Sequence, residues 1–415
     1  MPTMKQKADR INAARLAQIS AVNTKDPNAN LPTTTGIEDI APAILAIPTG
    51  SSETYDNFIQ RGNFPGLFKN QDLNYDDNYE GLKLFCSNGG WGNGSGDMSH
   101  IFDSASINEI VTGKDPMSYM HFPAGPGVTD LSYAYYNLTL PNTYDFNKEL
   151  ELTTYIVDGS MASLFENVRS NDTILSMTTP VLKILIYNWS MKYATDMSKA
   201  FYNTGAGIKL VIDFDESTDI DLSNITRADY AFAYMGGGVY NSSFEDVEGN
   251  AVHELTFKLP TSGTYRLDRF LKYNQSVQRV HFNTTSGCTN FTEMIHNCQN
   301  LLSIDGLDFS SITSTTNAPA GTTNPLTQIG KFGIVQGSNL GTLANARLDL
   351  SYVWNQSEST VRDGQTIGYW YEQFANALGN AGGTGQSIKL RSTLLNSLSN
   401  AQKELITNKG YTLAS

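Results

Sequence analysis

Apolar and polar positions are most regular between Val277 and Ile312, VQRVHFNTTSGCTNFTEMIHNCQNLLSIDGLDFSSI. Val277, Val280 and Phe282 open it with the β-branched and aromatic residues of a strand. Cys288, Phe291, Met294, Ile295 and Cys298 follow at spacings of three, three, one and three. That spacing predicts one face of a short helix. Leu301, Leu302, Ile304, Leu307 and Phe309 return to short apolar alternation, a second strand. Neither the helix nor the strands can bury an apolar face alone, so the unit needs neighbours of its own kind.

Such neighbours occur along the chain. The predicted helix core recurs as DMSHIF, SMASLF, DMSKAF, RADYAF, YRLDRF and NFTEMI, ending at Phe102, Phe165, Phe201, Phe232, Phe270 and Ile295. These six are the expected repeat core. After each comes a small polar turn, then a strand-like run such as IKLVIDF (Ile208 to Phe214) or ELTFKL (Glu254 to Leu259). Successive end residues are 63, 36, 31, 38 and 25 positions apart, and the first gap has room for a missed repeat. The predicted fold is an α+β repeat, an irregular solenoid of short strands and short helices.

The stretches DLSNITRADYAFAYM, CTNFTEMIHNCQNLLSIDGLDFSSI and LDLSYVW resemble the BspA-like leucine-rich repeats of bacterial surface proteins. The last stretch, QSIKLRSTLLNSLSNAQKELITNKGYTLAS, resembles the closing segment that follows such repeats. The resemblance covers roughly Leu82 to Ser415 and is strongest from Ile208 onward. It implies a leucine-rich-repeat-like solenoid with a strand-helix-strand cap.

Four regions are expected. Residues 1–50 form an N-terminal helix and extended anchoring arm, and 51–312 the repeat domain, with its clearest repeats at 208–312. Residues 313–330 are a Thr/Pro/Gly linker or insertion, and 331–415 a last repeat and closing cap. In the first helix Met4, Ala8, Ile11, Leu16, Ile19 and Val22 make a modest apolar stripe, the candidate particle-docking face. Pro27, Pro32, Pro42 and Pro48 then forbid a long helix. A strand is expected at Leu82–Phe85 and a cap over the first repeat within Ser51–Gly81. Trp91, in the loop SNGGWGNGSG, and Tyr133 and Tyr135, in a tyrosine-dense stretch, are the candidate host-contact residues.

Composition narrows the classes. With 40% hydrophobic and 11% aromatic residues the chain can bury a sizeable core, while only 17% is charged. A net charge of −13 disfavours nucleic acid and anionic membranes as partners. No apolar run suits a membrane span, and MPTMKQKADRINAARLAQIS lacks the apolar core of a secretory signal. Cys86, Cys288 and Cys298 are too few for a disulfide framework, and the latter two are expected as reduced core thiols. The run DFDESTDID, with Asp213, Asp215, Glu216, Asp219 and Asp221, could offer oxygen ligands to calcium. It lacks the order of an EF-hand and favours a solvated acidic turn.

No catalytic motif stands out. His100, His121, His253, His281 and His296 are scattered, and no metal or cofactor is expected. The sequence therefore points to a non-enzymatic structural and binding protein of a bacteriophage virion, made in the bacterial host cytoplasm. A head-fibre, tail-fibre or other appendage subunit would dock by its N-terminus on capsid or tail proteins. Its repeats would meet a host-surface glycan or protein, and a homo-oligomer such as a trimer is expected. A bacterial cell-surface adhesin is the alternative, and a polysaccharide-degrading enzyme a third.

Overall fold

The computed structural model describes residues 64–87, 96–107, 114–120, 128–140, 149–152, 156–170, 182–187, 191–204, 208–213, 219–234, 244–245, 251–274, 277–312 and 329–415. The predicted helix of residues 4–22, the arm and most of the 313–330 linker lie outside them. The protein is mixed α and β, with many short strands in small sheets and few helices. Residues from Gly62 to Ser415 make one compact unit.

The repeated cores are not helices. Each is a seven-residue run of overlapping turns, here called a rung. Eight rungs are described: 64–70, 98–104, 131–137, 161–167, 197–203, 228–234, 267–273 and 291–297. Rung 3 is typical. Ala134 N–H donates to Leu131 O, Tyr136 N–H to Tyr133 O and Leu138 N–H to Tyr135 O, each at 3.1 Å. Its third and seventh residues, Tyr133 and Asn137, take positive φ, 59° and 54°. An α-helix admits neither angle, so the chain resets direction every four residues. Apolar residues fill positions 1, 4, 5 and 8, as Phe291, Met294, Ile295 and Cys298 do in rung 8. That is also the i, i+3, i+4, i+7 pattern of an amphipathic helix, which is why the periodicity misled.

The rungs stack in register. N–H groups at positions 1, 3, 5 and 7 donate to carbonyls of the next rung, as from Met98, His100, Phe102 and Ser104 to Asp130, Ser132, Ala134 and Tyr136. The same four bonds recur at every step from rung 1 to rung 8. Rung starts advance by 24 to 39 residues (267 to 291 and 228 to 267 at the extremes). Rung 3 fills the long gap left by the sequence pattern. An Asx turn opens several rungs: Asp97, Asp130, Asp196 and Asn290 each accept from the backbone N–H two residues on.

Position 5 builds a column of rings through the core. Phe68, Phe102, Tyr135, Phe165, Phe201 and Phe232 stack successively, with centroids 5.0 to 5.7 Å apart and planes within 18°. Phe270 breaks the column. The Phe232 N–H donates to its carbonyl, which sets Phe270 at position 4 and Leu271 at position 5. The sequence alignment of Phe270 with Phe232 is thus one residue out of register, although Phe270 is fully buried. Its ring meets Phe232 edge-on at 5.2 Å.

Opposite the rungs run two five-stranded sheets. One orders its strands 251–252, 244–245, 208–213, 182–187, 149–152, and the other 331–334, 303–307, 279–282, 254–258, 219–221. All pairings in the second are parallel. Its inward residues Leu255, Phe257, Val280, Phe282, Ile304 and Phe332 are buried. Phe257 touches Phe232 and Phe270 of the rungs, which joins sheet to turns.

Both ends are closed by helices. Helix α1 (Asp76–Ser87) stands where a strand was expected at Leu82–Phe85. Leu82 and Phe85 lie three apart on its buried face, and Phe85 meets Phe64 and Phe68 of rung 1 edge-on. At the other end α2 (Ile367–Ala377) buries Ile367, Tyr371 and Phe374, with Phe374 meeting Phe332 and Trp354 and Tyr371 meeting Trp354. Helices α3 (Ser392–Ser397) and α4 (Asn400–Thr407) follow, and strand Thr412–Ala414 pairs with Ser387–Lys389. The terminal NKGYTL acts here through Lys409, whose ammonium donates to the carbonyls of Ala375, Asn376 and Leu378 at the C-terminal end of α2.

Candidate functional site

Backbone strain marks one face. Both left-handed positions of a rung favour Gly or Asn, which adopt positive φ at little cost. Position 7 obeys in five of eight rungs, with Asn70, Asn137, Asn167, Asn203 and Asn297 against Ser104, Tyr234 and Tyr273. Position 3 does not. After Gly66 it carries His100, Tyr133, Ser163, Lys199, Tyr230, Arg269 and Glu293, all at φ between 50° and 59°. Most are large side chains placed where the backbone prefers none.

Positions 3, 6 and 7 together form a strip of tyrosines and charges along the stack. His100 stacks on Tyr133 at 4.6 Å, and Tyr133 meets Tyr136 edge-on. Further along, Tyr202 meets Tyr230 and Tyr234 edge-on, Tyr234 stacks on Tyr273 at 4.6 Å, and Tyr273 contacts His296. Cations lie over these rings: Lys199 over Tyr202, Arg269 over Tyr230, Lys272 over Tyr234 and Tyr273. The six tyrosines are neither fully exposed nor buried, as suits a contact surface.

Ion pairs fix the charges. Lys69 and His100 flank Asp103 at 2.6 and 2.7 Å, and Lys199 reaches Glu166 at 3.1 Å. Glu293 accepts from Arg269 at 2.8 Å and Lys272 at 2.6 Å. Burial alone would push the Glu293 carboxyl up, but the bonds from Lys272 and Arg269 outweigh it and hold it below the usual range. Asp103 is lowered in the same way, burial being outweighed by Lys69, His100 and Ser104. Burial lowers Lys199, and its bond to Glu166 raises it further than that. Burial and then the Lys272 charge hold His296 below the ordinary histidine value, which favours its neutral form.

The residues expected from the sequence fall unevenly on this surface. Tyr133 sits on the strip. Tyr135, expected as a host-contact residue, belongs instead to the ring column: it is 1% exposed and its hydroxyl donates to the Met120 carbonyl. Position 5 points inward in every rung, which is the reason. Trp91 and the docking residues Met4, Ala8, Ile11, Leu16, Ile19 and Val22 lie outside the described residues. Phe102, Phe165, Phe201, Phe232, Phe270 and Ile295 are buried. Tyr202, Tyr230, Tyr234, Arg269 and Lys272 were not singled out from the sequence. The signal was there, since each stands two to six residues after the first apolar residue of a rung.

The remaining polar clusters are structural. Asp221 accepts from the Ser223 N–H and pairs with Lys258 at 3.4 Å, and 214–218 of the acidic run lie outside the described residues. Asp305 bonds both His281 and Lys331 across neighbouring strands. The Cys288 thiol donates to the Asn290 carbonyl and the Cys298 thiol to that of Leu271, and burial pushes both up to about 12. Among the described residues no three His, Cys, Asp or Glu converge as metal ligands, and no helix is long and apolar enough to cross a membrane. No protein-family model matches the chain, and no curated protein or solved structure does.

Proposed function

We propose that the chain is a structural and binding protein of a bacteriophage virion, a head-fibre, tail-fibre or other appendage subunit. Its body is a leucine-rich-repeat-like solenoid in which rungs alternate with strands. It docks on the particle through residues 1–50, assembles as a homo-oligomer, and turns the tyrosine strip toward a host-surface glycan or protein. The work is adhesion and not catalysis. One observation carries the binding reading: His, Tyr, Lys, Arg and Glu stand at left-handed positions where Gly66 shows that glycine serves. Each costs about 1 kcal/mol of backbone strain, which a merely structural surface would shed.

Fluorescently labelled full-length protein, incubated with a panel of bacterial strains, gives the test. Binding to some strains is expected. The double variant Tyr133→Gly/Tyr230→Gly should lose it while keeping its melting temperature, because relief of strain offsets the lost ring contacts. Unchanged cell binding by that variant sinks the strip as the attachment face. Light scattering with and without residues 1–50 tests the arm. An oligomer that becomes a folded monomer on truncation supports docking and assembly by the arm. Equal monomeric masses favour a cell-surface adhesin.

A further inference from the structure

The chemistry of the strip narrows what it holds. We infer that its ligand is an uncharged linear polysaccharide lying lengthwise along the rungs, an inference that rests on the strip being the attachment face. Three observations converge. The first is charge balance. Positions 3 and 6 hold four fixed cations, Lys69, Lys199, Arg269 and Lys272, and three carboxylates, Asp103, Glu166 and Glu293. Asp268, bonded to Arg269 at 2.8 Å, brings the balance to zero. Every one of these cations is in an ion pair with one of these carboxylates. Such a strip, in a chain of net charge −13, offers a polyanion no attraction.

The second is the ring content. Six tyrosines present flat apolar surface with a hydroxyl at the tip, a pairing that suits the C–H face and hydroxyl edge of a pyranose. The paired carboxylates and cations are fixed acceptors and donors beside them, so hydroxyl groups can be bonded without reorganising side chains. The third is the repeat. Rungs bonded like parallel strands advance about 4.8 Å each, so eight span about 34 Å. That step is close to the advance of one sugar residue in an extended chain, and a globular partner has no such period.

The rungs themselves supply test variants that should fold. Position 7 is Asn in five rungs but Tyr234 and Tyr273 in two, and these two rings stack on each other. In Y234N/Y273N the backbone keeps a residue that its neighbours already use. Binding of the full chain is measured by affinity electrophoresis in gels containing dextran, mannan, laminarin or xylan, with polygalacturonate and duplex DNA as anionic controls. Retardation by at least one neutral polymer is expected, unaffected by salt and weakened about tenfold or more in the variant. No retardation by any neutral polymer, salt-sensitive retardation by the polyanions alone, or equal retardation of the variant overturns the inference. The cell assay separates this from the broader reading. Cells bound equally by Y234N/Y273N leave attachment standing and remove the glycan site. Polymer bound without any cell binding does the reverse.

Discussion

Replacing Phe201 by Ala tests the architecture at its centre. The ring is fully buried between Phe165 at 5.7 Å and Phe232 at 5.1 Å. Truncating a buried Phe costs about 3–5 kcal/mol, depending on how far the site collapses. Here collapse is blocked, because four backbone hydrogen bonds on each side fix the rung spacing. Two stacked pairs, each worth about 0.5–1.5 kcal/mol, are lost as well, which places the cost in the upper part of that range. Phe201→Leu keeps most of the apolar area and loses only the stacking, so about 1–3 kcal/mol is expected. In a chain whose repeats contact mainly their neighbours a single unfolding transition is not assured, so the readout must be local. Hydrogen exchange by mass spectrometry is suited to it. Peptides spanning 161–167, 197–203 and 228–234 should lose roughly three orders of magnitude of protection or more, while α2 to α4 keep theirs. A loss below about 1 kcal/mol in these rungs, or an equal loss in the C-terminal helices, would refute the column as the organising core.

Other perturbations probe separate parts. Lys409→Met should lower the melting temperature, by the equivalent of about 1–3 kcal/mol, since three carbonyls at the end of α2 lose their charged donor. Gly306→Ala should disrupt the strand Ser303–Leu307, because φ is +76° there and an added Cβ would overlap the Phe282 carbonyl; circular dichroism and proteolysis report it. Glu293 is lowered in the folded protein, so its ion pairs stabilise above about pH 4.3 and are lost as pH falls through its own lowered value. Exchange protection of 267–273 should fall across that acid window, and Glu293→Gln should flatten the dependence. Cys288 and Cys298, pushed up to about 12 by burial, should resist iodoacetamide at pH 8 until denaturant is added, as peptide mapping will show.

Much of the fold was legible as period and little as local geometry. The recurring Met-x-x-x-Phe spacing located rungs 2, 4 and 5 because positions 1 and 5 are buried in all of them. It missed rung 3, where Leu131 and Tyr135 replace Met and Phe, and rung 1, where Phe64 begins FPGLF. It read helices because turns reset every four residues place apolar side chains at the same offsets as 3.6-residue helical turns. Two local signs separate the cases. Asn at position 7 tolerates positive φ, and Asp or Asn before position 1, with Ser or Thr two residues later, closes an Asx turn. The same reading could not tell Tyr133 from Tyr135, since it placed no repeat core over this tyrosine-dense stretch. Only the rung geometry sends one to solvent and the other to the core.

That division of labour explains how one backbone can keep its shape while its surface changes. Positions 1, 4 and 5 carry the packing, and position 7 carries the turn chemistry. Position 3 carries backbone strain, with φ between 50° and 59° at seven successive rungs, set against ion pairs at Lys199, Arg269 and Glu293. A side chain there is free to vary in the folded state provided its backbone cost, about 1 kcal/mol, is tolerated. His, Tyr, Ser, Lys, Tyr, Arg and Glu in turn are what such freedom allows. Large side chains at most of these sites touch tyrosines at positions 6 and 7 or make ion pairs, which offsets part of the strain, and the rest calls for a counterweight outside the folding energy. Contact with a ligand supplies one, and glycine substitutions at position 3 separate the two effects: they should leave folding intact and remove binding.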